Sequence, residues 1–102
     1  MHNEMFSSEN LKFSEKAEMV RKVREFGFSA ENERLVLLVA MKEMSFAELE
    51  FPAGPTAAMK AIDFLDAFGL YIIIKDSSHF SKIIIVNNQD DFETLENENL
   101  KK

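Results

Sequence analysis

Met44-Ser45-Phe46-Ala47-Glu48-Leu49 decides how this chain is read. Ser45, followed three residues later by Glu48, matches a capping box: the Ser hydroxyl accepts from the Glu48 amide, and the Glu48 carboxylate returns to the Ser45 amide. Met44 and Leu49 are positioned as a hydrophobic staple around it. The spacing predicts a short helix over residues 45–51. Pro52 ends it, because a proline disfavours helical geometry in the residue before it.

Downstream, Ala53-Gly54-Pro55 reads as a tight turn, with Pro55 or Thr56 opening the next helix. Ala58, Ala61, Ile62, Leu65 and Phe68 share one face of that helix. Gly69 then supplies the left-handed residue that lets Leu70 fold back. Residues 71–75 and 81–86 are rich in β-branched side chains and flank Asp76-Ser77-Ser78-His79, the pattern of a β-hairpin with a polar tip. Both strands are apolar on both faces, whereas a hairpin covered from one side alternates apolar with polar. A second cover is therefore required, either the tail Asp90-Asp91-Phe92-Glu93-Thr94-Leu95 as a short capped helix or a partner subunit.

Upstream, Ser29 is placed to cap a helix whose first turn carries Glu31 and Glu33, acids that suit the positive end of the helix dipole. Its run Leu35-Val36-Leu37-Leu38-Val39-Ala40-Met41 is apolar on every side, and such a helix is buried all round. The length, the caps and the Lys42-Glu43 ending favour helix over strand here. It is expected at the centre of the domain, packed by neighbours or by a second subunit. Before it, Met19, Val20, Val23 and Phe26 lie on one arc of an amphipathic surface helix that stops at Gly27. Residues 1–12 show no period and read as a flexible arm or an adhesion strand.

With 102 residues, 46% of them hydrophobic, the chain is long enough for one domain with one core. The absence of cysteine excludes a disulfide framework, a thiolate zinc site and a cysteine nucleophile. No apolar run approaches the roughly 18 residues of a membrane span, and no leader pattern opens the chain, so a soluble cytoplasmic protein is the default expectation. Eighteen acids against 12 Lys and Arg give a formal charge of -6, which disfavours nucleic acid, since that affinity depends on cations neutralising phosphates.

The order helix, helix, short capped helix, turn, helix, Gly-Leu, hairpin resembles winged helix-turn-helix regulators of the MarR and ArsR type. The resemblance rests on residues 44–49, Gly54, and Leu65-Asp66-Ala67-Phe68-Gly69-Leu70, and it covers slightly more than half of the chain. It departs from the pattern at Ala53, where a larger aliphatic side chain is usual. It implies an α+β fold of about four helices and a C-terminal hairpin wing, with a short C-terminal helix as one reading of the tail. The expected domain spans residues 13–88, preceded by the arm at 1–12 and followed by an acidic tail or helix at 89–102.

The resemblance further implies a DNA-binding transcription regulator that contacts DNA with the Thr56 to Ala67 face of its recognition helix and with the hairpin tip. Its candidate nucleic-acid contacts are Thr56 and Lys60 on that helix, and Lys75, Ser77, Ser78, His79 and Lys82 on the wing. Lys60 is the single basic residue on the outward face, and Asp63 and Asp66 would repel the flanking phosphates. The alternative is a non-catalytic protein-interaction module on the same scaffold, binding transcription machinery or another regulator. Its candidate surface comprises Met59 and Phe64 on the recognition helix, with Leu37 and Met41 on the apolar helix. Either way the apolar excess predicts a homodimer through the apolar helix or the outer hairpin face. Lys16, Arg21, Lys22 and Arg24 are interleaved with Glu15, Glu18 and Glu25, the composition of an ion-paired, solvated face. No motif assembles an acid-base pair, a phosphate-cradling loop or a metal site, so neither catalysis nor a cofactor is expected.

Overall fold

In the computed structural model, the described residues are 13–75 and 81–100. The N-terminal arm and the hairpin tip with Ser77, Ser78 and His79 lie outside them. In chain order the elements are α1 (Phe13–Phe26), α2 (Ala30–Ala40), β1 (Phe46–Glu50), α3 (Pro55–Ala67), β2 (Tyr71–Ile74), β3 (Lys82–Val86) and α4 (Gln89–Leu100). Together they form a small α+β domain with four helices and one antiparallel three-stranded sheet of order β1-β3-β2.

The expected helix over residues 45–51 is a strand. Phe46 pairs with Val86 and Glu50 with Lys82, and the ladder is extended at its ends by Asn87 N–H donating to Ser45 O (3.0 Å) and Phe51 N–H to Ser81 O (2.8 Å). The reason lies in the period. Ala47, Leu49 and Phe51 are spaced by two, so an extended chain puts all three on one face, where all are buried. A helix would keep Ala47 and Phe51 on one face and turn Leu49 to the opposite side, and an isolated helix of two turns is marginal in water. The strand thus buries three side chains where the capping box satisfies two amides. As a result, β1 leads through Phe51–Gly54 directly into α3, with no helix between them.

The inner sheet face, formed by Ala47 and Leu49, Ile83 and Ile85, and Ile72 and Ile74, packs on α2 and α3, with α1 against α2. Val23, Val36, Val39, Ala58, Ala61 and Leu65 complete this core. Expected caps hold at α2, where Ser29 Oγ accepts from Asn32 N–H at 3.2 Å, and at α3, where Pro55 occupies the first turn. At the end of α3, Gly69 N–H donates to Asp66 O and Leu70 N–H to Leu65 O, the paired bonds of a Schellman motif. Gly69 sits at φ 94° with open space where a Cβ would stand, so Gly69→Ala meets backbone strain alone. We expect a loss of about 1–2 kcal/mol in urea unfolding, with unchanged m.

α2 ends the same way without glycine: Lys42 adopts φ 66°, and Lys42 N–H and Glu43 N–H donate to Val39 O and Leu38 O. The expectation that α2 is buried all round is also corrected. Val36, Val39 and Ala40 are buried, whereas Leu35, Leu37, Leu38 and Met41 are half-buried, because α2 packs at one side of the sheet's β1 edge and not between two layers.

Over β2 and β3 the second sheet face is covered by the chain itself. Asn88 Oδ1 accepts from Asp91 N–H at 2.8 Å and starts α4, which lies over β2 and β3 with Phe92 stacked on Tyr71 at 5.0 Å between ring centroids. Ile73 and Val86 are buried on this face. The tail helix, one of the two covers the sequence allowed, is formed.

Candidate functional site

α3 presents the face expected to meet a partner. Its buried positions Ala58, Ala61 and Leu65 turn Thr56, Met59, Lys60, Asp63 and Asp66 outward, all exposed. Met59 is 51% exposed. Lys60 and Lys82 form no ion pair with the described residues, while Lys75, at the start of the hairpin tip, is bound by Glu48 of β1, Nζ to Oε1, at 3.2 Å. That pair crosses the sheet between residues distant in sequence, and no local pattern announces it. Lys75 and Lys82 are neighbours across the hairpin, Lys75 N–H donating to Lys82 O at 3.1 Å, while on α3 Lys60 is followed by Asp63 three residues on and by Asp66 three further.

Phe64 is not an outward residue. Its ring lies 4.7 Å from Phe26, 5.9 Å from Phe28 and 5.4 Å from Phe68, in an aromatic cluster that seats α3 against the α1–α2 turn. Leu37 likewise packs on the core, and Met41 is half-buried at the end of α2. Of the four residues read as an apolar interaction surface, Met59 alone is exposed.

A different apolar surface appears at β1. α4 rests on β2 and β3, so the β1 margin of the outer sheet face is uncovered. Phe46 is 44% exposed there, and Met44 just before it is also exposed. A cleft of about 250 Å³ runs between Phe46 and α4, with Ile84 and Leu95 in its walls and the Glu48–Lys75 pair at one side. The sequence signal was present, since Phe46 falls out of phase with Ala47 and Leu49, but only in the strand reading. The backbone edge of β1 is partly closed: Asn32 Nδ2 on α2 donates to Glu50 O at 2.9 Å, blocking strand addition at that end. Asn87 fastens the approach to β1, donating through Nδ2 to Val39 O (2.9 Å) and Met44 O (2.7 Å).

On α1, Arg21 bonds both Glu18 and Glu25, and Arg24 reaches Glu33 on α2 at 3.4 Å. The hydrogen bond from Arg21 holds the Glu18 carboxyl below its ordinary range, and the two acids raise the Arg21 guanidinium further. The face is the ion-paired one its composition suggested. Among the described residues, no three His, Cys, Asp or Glu side chains gather as a metal-binding group, and no helix is long and apolar enough to cross a membrane. No family model, curated protein or solved structure matches the chain.

Proposed function

We propose that this domain is a non-catalytic protein-binding module on a scaffold resembling the winged helix, and that its partner docks on the apolar margin at β1. The observation carrying this reading is the exposed Phe46, beside Met44, on the part of the sheet that α4 leaves open. Exposed apolar side chains beside a cleft on an otherwise charged surface suit a partner's apolar side chains, which gain by leaving water together. The charge pattern supports the same choice: the chain carries -6, and Lys75 is already neutralised by Glu48. A partner with an apolar patch rimmed by Lys or Arg fits both features. A second copy of the chain is one such partner to test, and a component of the transcription machinery is another.

DNA contact through α3 is the second reading, favoured by exposed Lys60 and Lys82, which form no ion pair among the described residues. The two separate in one experiment. A photo-crosslinking residue at position 46 is expected to trap a protein in cells, or a second copy, and Phe46→Asp is expected to abolish co-purification of that same protein while the fold persists. Duplex DNA at low salt is expected to show no binding up to tens of micromolar protein. Binding below that range, weakened by Lys60→Ala and Lys82→Ala and indifferent to Phe46→Asp, would overturn the protein-binding reading. Light scattering across a concentration series identifies the second copy: a dimer that Phe46→Asp dissociates makes this chain its own partner.

A further inference from the structure

We propose that the cleft between the α1–α2 turn and the β1–α3 turn binds a small planar aromatic molecule that carries an N–H or O–H donor and no carboxylate. The cleft measures about 330 Å³ and is walled by Phe26, Phe28 and Phe51, with Ala57 of α3 at its side. Its size and its mainly apolar wall with few polar groups are those of small-molecule sites. Phe26 and Phe28 are held by their neighbours, with ring centroids 4.5 Å apart and both near Phe64. A planar guest meets aromatic surfaces already in place, which lowers the ordering cost of binding.

Beside Ser29 and Glu50, the wall carries Asn32, a buried polar side chain only 6% exposed. Its Nδ2 donates to Glu50 O at 2.9 Å, and this fixes the orientation of the amide, because a carbonyl accepts only from the NH₂ half. Asn32 Oδ1 then accepts no hydrogen bond from the described residues. Buried side-chain oxygens are nearly always paired, so this one is open to a donor from outside the described residues. A phenolic O–H or a ring N–H supplies it while the ring fills the space between the phenylalanines. Glu50 also lines the cleft, and the chain is acidic, so a carboxylate on the guest is repelled. The occupant touches both the turn that starts α2 and the first turns of α3, and so joins the two elements.

The test is an NMR titration of the isotope-labelled full chain with phenol, anisole and benzoate, within the concentration range that leaves the fold intact. Phenol is expected to give saturable shifts at Phe28, Asn32 and Ala57. Anisole has the same ring and no donor, and is expected to bind about three- to tenfold more weakly, the span of one hydrogen bond; benzoate is expected to bind no better than anisole. Ala57→Leu fills the cleft while leaving the Asn32–Glu50 bond, and is expected to lose the phenol shifts. Absence of saturable shifts with phenol, equal affinity for phenol and anisole, tighter binding of benzoate, or unchanged binding in folded Ala57→Leu would each overturn the proposal. The three-ligand comparison on the unmodified chain decides it even if the variant fails to fold.

Discussion

Leu49→Ala is expected to destabilise the domain by about 2–5 kcal/mol, while Ser45→Ala changes stability by less than about 0.5 kcal/mol. Leu49 is fully buried on the inner face of β1, paired with Ile83, and its loss leaves a cavity against α2 and β3 that the sheet cannot close. Ser45 contributes to the structure through its carbonyl, which accepts from Asn87, and its side chain is exposed. The pair of variants separates two conformations of one segment. If residues 45–51 were the capped helix their motif suggests, removal of the Ser45 hydroxyl would cost about 0.5–2 kcal/mol. Urea midpoints for the two variants, read with unchanged m, are the measurement. A costly Ser45→Ala would contradict the strand.

The second large effect belongs to α4. Phe92→Ala is expected to cost about 2 kcal/mol, below the roughly 3–5 kcal/mol of a fully buried phenylalanine because the ring is only half-buried on Tyr71. Its consequence extends past the lost contact. α4 shields Ile73 and Val86, and loosening it bares a row of apolar side chains that runs from Phe46 across to Tyr71. The variant is therefore expected to bind a hydrophobic dye and to self-associate at concentrations where the parent chain does not. Glu96→Gln, on the exposed side of the same helix, serves as the control and is expected to stay within about 0.5 kcal/mol of the parent. If both variants behave alike, α4 is not the cover that keeps this face dry.

α3 and the strands β2 and β3 stand where the local signals place them, with the Gly69 stop between α3 and β2. The helix expected ahead of that turn is the strand β1, so α3 has no helical partner across residues 51–54. The candidate surface moved accordingly. Phe64 and Leu37, read as parts of an interaction surface, pack on the core, and Phe46, counted inside a helix, became an exposed apolar residue of the sheet margin.

What the sequence determined by itself is every element whose signal is local. Ser29 fixes the start of α2, Pro55 and Gly69 bracket α3, and the isoleucine runs around a polar tip make β2 and β3, because caps, positive φ and β-branched crowding act within a few residues. The aromatic residues between α1 and α2 were legible as apolar, though not as a cluster. The tertiary structure alone decided β1, since its ladder partners stand at residues 82–86 and no window around Ser45 contains them. It alone decided the Glu48–Lys75 pair, the Asn32 bond to Glu50, and the docking of α4, each of which joins residues far apart in sequence. The segment 44–49 satisfies a helical motif and a strand period at once, and the choice fell to the face that could bury Ala47, Leu49 and Phe51 together. Burial of apolar area outweighs one capping box, and burial is a property of the folded whole.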